Sequence, residues 1–442
     1  MLDSTQSRSS YSPITLRDLA AIPQIAALPA ETRLQLSAVA RVLPFRVNRY
    51  VLDELIDWDK VPDDPMYQLT FPQPGMLAPA DLSAVTDLLR AGAPAAQLEA
   101  VVQTIQRGLN PHPAGQITLN VPTLEGRPLR GMQHKYRETV LFFPAQGQTC
   151  HAYCTYCFRW PQFVGLDDLK FAARESEQLI EYLRRHPDVT DVLITGGDPL
   201  VMRTAALRRT IEPLLAARLP GLTSIRIGTK ALAYWPHRFL GDADADDLLR
   251  LFEEVTDSGM HLALMAHSSH PRELESSAAV AAIRRVRATG AVIRCQSPLI
   301  RRVNDDADTW AQLWRTQVRL GAVPYYMFVE RDTGPKEYFK VSLARALSIF
   351  TDAQRQVSGL CRTARGPSMS AMPGKVAVDG VLESAGKLYF SLRVLQGRDP
   401  AWVGRTFLAE YDERAAWLDE LRPPEGEREF FFQRQLREQS RR

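Results

Sequence analysis

Six short apolar runs, separated by windows of helical periodicity, constrain this chain more than any other feature. The runs are VLFF (140–143), DVLIT (191–195), TSIRIGT (223–229), HLALMAH (261–267), AVIRCQS (291–297) and AVPYYMFV (322–329). Helix-like windows fall at 166–186, 204–218, 244–257, 272–289, 306–319 and 341–356. Strand and helix alternating in this way predict a parallel sheet with helical crossovers. The runs are continuous and rich in β-branched residues, as expected of strands covered on both faces. Six units are too few for a full eight-stranded barrel, which leaves a partial barrel or an open doubly wound sheet. In either, ligands collect at the C-terminal strand ends, so chemistry is expected in the residues that follow each run.

Three stretches differ in texture. Residues 1–132 read as helical segments broken by Pro-rich connections, FPQPG at 71–75 and NPHPA at 110–114. Residues 133–356 hold the alternating series, and 357–442 combine a loop-rich stretch (364–375), short strands (VAVDG, KLYFSL) and a charged helical tail. The 442 residues carry a formal charge of only +3, so no global field points to nucleic acid or an acidic membrane surface. Arg441 and Arg442 read as a solvated end. No apolar run reaches the roughly 18–20 residues of a membrane-spanning helix. Residues 1–15 lack the apolar core of a signal peptide, which predicts a cytoplasmic protein.

Three of the five cysteines lie in TCHAYCTYCFRW, directly after the first apolar run. Cys150, Cys154 and Cys157 form a C-x3-C-x2-C pattern, unlike a disulfide framework. Three thiolates on one loop can ligate three irons of a [4Fe-4S] cluster and leave the fourth open to a chelating cosubstrate. Structural zinc is the competing reading, but it takes four ligands, and no second C-x2-C occurs. His151 could be a fourth ligand, although its place beside Cys150 makes a closed tetrahedron awkward. Cys295 and Cys361 sit among apolar neighbours, as buried thiols do.

The cysteine spacing, with Tyr156 before the third cysteine, resembles the cluster motif of radical S-adenosylmethionine (SAM) enzymes. That resemblance implies an α/β fold: a partial (β/α)6 barrel with a helical N-terminal extension and a small C-terminal α+β segment. LITGGDPL (193–200) is similar to the superfamily's SAM-binding glycine motif, which would place Gly196, Gly197 and Asp198 at the cofactor.

Further pieces resemble the lysine 2,3-aminomutase family, in order and approximate spacing. They are LIDWDK (55–60), DDP (63–65), HKYRETVLF (134–142), SIRIGTK (224–230), HSSHP (267–271), QSPLIRRVND (296–305), PYYMF (324–328) and PGK (373–375). The family implies a [4Fe-4S] cluster, SAM and pyridoxal phosphate (PLP), with a 5'-deoxyadenosyl radical taking a hydrogen from an amino acid whose amino group then migrates. By the same resemblance Arg159 grips the substrate carboxylate, Gln296 belongs to the SAM pocket and Lys375 is the lysine that PLP engages. His267 and His270, in the family's H-x-x-H-P pattern, are expected to line a pocket or sit satisfied in the core. The expected partners are a small amino-acid substrate and an electron donor of the flavodoxin or ferredoxin type, without nucleic acid or membrane. A homo-oligomer is compatible with all of this.

The chain also departs from the family. Lys135 and Thr139 replace two arginines that hold the PLP phosphate, with Arg137 nearby. Where lysine-specific members place two aspartates against the distal amino group, an ungapped match puts Arg331 and Ser368, with Asp332 adjacent. A cation there repels a lysine ammonium, so the expected substrate is not L-lysine. The C-terminal zinc cysteines of the family are missing. The expectation is thus a 2,3-aminomutase for another amino acid. A PLP-independent radical SAM epimerase, dehydrogenase or other modifying enzyme is the alternative, and a metal-stabilised binding module the third reading.

Overall fold

The computed structural model describes residues 11–166, 170–173 and 176–440. The lead-in at residues 1–10 and Arg441 and Arg442 lie outside this set, as does part of the window expected to be helical from residue 166.

Among the described residues, eleven strands form one sheet whose order follows the chain from end to end. They are β1 (Met132–Tyr136), β2 (Thr139–Phe142), β3 (Asp191–Ile194), β4 (Ser224–Thr229), β5 (His261–His267), β6 (Val292–Leu299), β7 (Val323–Val329), β8 (Arg365–Ser370), β9 (Gly374–Ser384), β10 (Lys387–Gly397) and β11 (Thr406–Glu410). Neighbours from β2 to β8 are parallel, whereas β1 and β9 to β11 pair antiparallel at the two ends. A doubly wound sheet reverses its order at a switch point. None occurs here, so every crossover winds the same way along the sheet.

The six expected strands are β2 to β7. A seventh parallel strand, β8, lies in the stretch 364–375 that composition presented as loop. Its Gly, Pro and Ser residues disguise it, but Tyr326 and Phe328 of β7 supply a parallel partner that no local pattern announces. Likewise the two short C-terminal strands are parts of the long β9–β10 hairpin.

The helices α1 (Glu177–Arg185), α2 (Thr204–Ala216), α3 (Ala245–Asp257), α4 (Ser277–Ala288), α5 (Ala307–Arg319) and α6 (Leu343–Arg355) follow successive strands. Their apolar faces, including Leu179, Leu207, Ile211, Leu248, Phe252, Ile283 and Trp310, pack against one face of the sheet. That face presents Val140, Phe142, Val192, Ile194, Ile225, Ile227, Leu264 and Ile293, all at most 2% exposed. Burial of this much aliphatic surface, at about 25 cal/mol per Å2, is the main force holding the array.

The opposite face differs from the expectation of uniformly covered strands. Burial alternates along β4 and much of β6, and the other set of side chains, Leu141, Leu193, Arg226, Gly228, Met265, Gln296 and Tyr325, lines a cavity. Strands that look uniformly apolar in sequence therefore have one oily face and one that is partly polar and open to a ligand.

The N-terminal residues contribute helices Ala30–Val42, Pro79–Arg90 and Ala95–Gly108, but also a short antiparallel pair, Pro13–Thr15 with Arg46–Asn48. Their apolar core is shared with Ala152, Tyr156, Tyr234 and Trp235, and so reaches the loop that carries the cysteines. No described helix is long and apolar enough to cross a membrane.

Candidate active site

One cavity of about 300 Å3, within the usual range for small-molecule sites, brings together most of the residues singled out above for chemistry. Cys150, Cys154, Cys157, Tyr156, Arg159, Gly196, Gly197, Asp198, Gln296, Lys135 and Lys375 all line it. They come from positions up to 240 residues apart in the chain, and the sheet alone gathers them.

The cysteine loop leaves β2 and is clamped by the N-terminal region. Tyr153 N donates to the Arg46 carbonyl at 2.8 Å and Thr155 N to that of Leu69 at 2.9 Å. Thr155 Oγ1 donates to the Gln68 carbonyl at 2.6 Å, and Asn48 Nδ2 to that of His151 at 3.1 Å. The extension thus sets the conformation of the loop, a role that its own sequence does not disclose.

Burial, and then the neighbouring carboxylate and sulfurs, push the Cys150 thiol well above its ordinary range, and burial with Cys154 beside it lifts Cys157 to about 12. The three thiols therefore sense one another. Yet among the described residues no three His, Cys, Asp or Glu groups converge on a single metal position. A tetrahedral zinc needs each sulfur about 2.3 Å from one point, whereas a [4Fe-4S] cube takes each thiolate on a different iron. The three thiols line one cavity, as ligands to different irons of one cube would. As they stand they are protonated, so loading must displace a proton from each. His151 does not complete a zinc set: its ring packs edge-on against Tyr11 at 5.1 Å, and its Nδ1 is buried without a partner.

The Gly-Gly-Asp turn after β3 docks against the approach to the cysteine loop. Gly197 N donates to the Gly147 carbonyl at 3.1 Å and Asp198 N to that of Thr149 at 2.6 Å. The two glycines are needed for different reasons. Gly196 has φ +145°, which L-residues rarely adopt. A Cβ on Gly197 would stand 2.3 Å from the Thr149 carbonyl oxygen, a backbone atom that cannot swing aside. Gly197→Ala should therefore force the two loops apart and cost about 1–3 kcal/mol, seen as a lower denaturation midpoint together with weaker SAM binding.

Asp198 is corrected in part. It lies at the cavity wall, but its carboxylate is spent on the protein: it accepts from Leu200 N at 3.0 Å, Thr229 Oγ1 at 2.8 Å and Lys230 N at 2.8 Å. Its side chain ties the glycine turn to the end of β4, so it acts as a positioning residue rather than a ligand-facing one. Tyr156 is likewise anchored, its hydroxyl 3.1 Å from Ser269 Oγ.

His267, at the end of β5, sits with Nε2 2.9 Å from Gln296 Nε2. Burial holds its imidazole at about 3, so it is neutral. His270 instead caps the turn at Pro271–Leu274, accepting from Arg272 N at 3.3 Å. One histidine of the pair therefore lines the cavity and the other is structural.

Lys375, on β9, lines the cavity, its Nζ 4.4 Å from the Tyr326 ring centroid and 5.9 Å from that of Tyr136. Burial, then the Arg226 and Arg365 guanidinium groups, bring this amine down to about 7. Lys135 Nζ donates to the Ala371 carbonyl, and burial, then Arg398 and Arg331, hold it well below the ordinary lysine range. A bound anion between these groups would restore its charge.

Thr139 does not face a ligand with its hydroxyl, which donates to Asp191 Oδ2 at 3.0 Å, while Asp191 Oδ1 accepts from Arg226 Nε at 2.7 Å. Arg137 is exposed and pairs with Glu138. Ser368 is fully buried with an unpartnered hydroxyl and does not line the cavity; Ser370 does. Asp332 turns toward Asn110, whose Nδ2 lies 3.3 Å from its Oδ2.

Lys230 and Glu330 were missed, although each is the first residue beyond its strand, β4 and β7, and both line the cavity. Lys230 forms a buried ion pair with Glu273. Gln116 and Asn120 also line the cavity, from a segment that no local signal connects to the array.

No family model matches the chain. It is 30% identical over 394 residues to a provisionally named L-lysine 2,3-aminomutase of Aquifex aeolicus, covering 89% of this chain and 91% of that one. It is 27% identical to the L-lysine 2,3-aminomutase of Acetoanaerobium sticklandii over 234 residues, 53% of each chain. For the Escherichia coli L-lysine 2,3-aminomutase the identity is 28% over 251 residues, 56% of this chain and 68% of that one. Among solved structures it is similar to a radical SAM methyltransferase from Sphaerobacter thermophilus, at 15% identity and a TM-score of 0.37, covering 65% of this chain and 95% of that one.

A parallel sheet with a three-cysteine loop after its first parallel strand and a glycine turn after the second, in a chain with these relatives, defines a radical SAM enzyme. Within that class, the match along nine-tenths of the chain narrows the assignment. The chain belongs to the lysine 2,3-aminomutase family.

Proposed function

We propose that this protein is a radical SAM aminomutase that moves the α-amino group of an amino acid other than L-lysine to the neighbouring carbon. The observation that supports it best is Lys375: an amine held at about 7 shares a cavity with three cluster-spaced thiols. When bound, the [4Fe-4S] cluster and SAM supply the hydrogen-abstracting radical, and PLP supplies the conjugated ring on which the amino group shifts.

In this reading Cys150, Cys154 and Cys157 hold the cluster at the C-terminal strand ends, where the sequence-ordered strands of a partial (β/α)6 barrel would open. Gly196, Gly197 and Gln296 receive SAM beside it. Arg159 receives the substrate carboxylate through its guanidinium fork. Burial brings Arg159 down to about 9, which leaves it a cation at neutral pH. Lys375 supplies an amine that is neutral for a large fraction of the time near pH 7, as attack on a carbonyl requires. Lys135 and Tyr136 face the same region and would hold the far side of PLP. The buried surroundings exclude water from a reactive radical. An external one-electron donor must reduce the cluster.

The loss of Thr139 and Arg137 from the phosphate side favours a second reading, a PLP-independent radical SAM enzyme on the same scaffold. One anaerobic assay separates them. Reconstituted protein with SAM and reductant is expected to form 5'-deoxyadenosine and a β-amino acid, with product formation dependent on added PLP. Turnover indifferent to PLP would support the second reading instead.

A further inference from the structure

Two guanidinium groups flank one aromatic ring in the cavity. Arg159 Cζ lies 5.0 Å and Arg331 Cζ 4.9 Å from the ring centroid of Phe158. Among the described residues neither forms an ion pair with a carboxylate. Arg331 meets only neutral acceptors: Nη2 donates to the Ser370 carbonyl at 3.2 Å. The Gln116 amide, turned with its oxygen toward the guanidinium, accepts from Nη1 at 3.1 Å and Nη2 at 3.3 Å. Its Nε is buried without any partner.

Neither adjacent acid pairs with Arg331. Glu330 lines the cavity, and burial pushes its carboxyl well above the ordinary range, which disfavours the anion. Asp332 acts on the charge of Arg331 but turns its carboxylate to Asn110. Buried cations are costly unless paired. Two of them lining one cavity, neither ion-paired to a carboxylate among the described residues, mark a site completed by an anionic ligand with two separated negative groups.

We infer that the substrate is an α-amino dicarboxylic acid of aspartate or glutamate size, its α-carboxylate on Arg159 and its side-chain carboxylate on Arg331. This rests on the amino-acid reading of the site proposed above. The same charge could instead serve a cofactor phosphate, because Arg331 also acts on Lys135 and Tyr136. The experiment therefore has an arm for each source.

Reconstituted enzyme with SAM, PLP and reductant is given glutamate, glutamine, aspartate, asparagine, lysine and leucine, and 5'-deoxyadenosine is measured. The acids are expected to exceed their amides in kcat/KM by about 10- to 100-fold, the range for one charge-assisted hydrogen-bonded contact. Arg331→Gln should remove most of that ratio, lowering kcat/KM for the acids far more than for the amides. PLP affinity, titrated spectroscopically on the same variant, should be unchanged. Equal use of acid and amide, an equal loss on both, or weakened PLP binding with the ratio intact would each overturn the inference. If no amino acid supports turnover, the aminomutase reading fails on its own. Calorimetric titration of glutamate against glutamine into the SAM-loaded protein then decides this one: a preference for glutamate that Arg331→Gln abolishes sustains it, and no preference sinks it.

Discussion

Cys157→Ala will give a folded protein that cannot hold an iron–sulfur cluster and cleaves SAM only at background. The Cys157 residue is half-buried, its thiol is pushed up to about 12 by desolvation, and beyond a backbone contact with Arg159 it holds no distant segment, so its loss leaves only a small gap in the loop. Cys154 is a less clean choice because its sulfur lies 3.7 Å from Tyr234 Oη. Two thiolates cannot keep a cube oriented with one open iron, and the cofactor carries the chemistry. A fall in 5'-deoxyadenosine formation on the order of a thousandfold or more is expected. Iron and sulfide content, visible absorbance that bleaches with dithionite, and circular dichroism check this together. A variant that retains a full cluster and SAM cleavage would remove the basis of the assignment.

Lys375→Met is the second large effect. Methionine keeps the volume and removes a buried amine that burial and two guanidiniums already disfavour as a cation, so the fold should be as stable as the parent or more so. Covalent capture of PLP by borohydride, expected on Lys375 in the parent, should vanish, and β-amino acid formation should fall on the order of a thousandfold. The cluster should be unchanged. The amine sits at about 7 in the folded protein. It loses its proton as pH rises through that value, so capture should increase between about pH 6 and 8. An unperturbed lysine would need roughly three further pH units. Unmodified Lys375 with turnover intact would instead support the PLP-independent reading.

How much of this was legible depends on the range of the interaction. The strand His261–His267 has the same bounds in sequence and structure, because a buried parallel strand writes its whole length in apolar residues. The cysteine spacing and the Gly-Gly turn were equally plain, since a loop that must gather three thiols or approach another backbone closely needs specific residues at fixed offsets. Strand β8 was hidden because its stability comes from β7 and β9 rather than from its own Gly-Pro-Ser composition. Asp198 lines the cavity as its motif implies, but a motif records which residue is present and not where its lone pairs are used. Ser368 and Arg331 were offered as equivalent on an ungapped match. The register of β8 sends the former into the core, while the latter faces the cavity.

By itself the sequence determined the alternating array, the cluster loop and the family, because each is written in local periodicity or in short motifs whose residues cannot be exchanged. The tertiary structure alone decided that the N-terminal region clamps the cysteine loop and that Lys375 and Lys135 are buried amines. It also decided that Arg159 and Arg331 share a ring, neither in an ion pair with a carboxylate among the described residues. Burial and the distance between charges depend on segments far apart in the chain, and only the folded sheet brings those segments together.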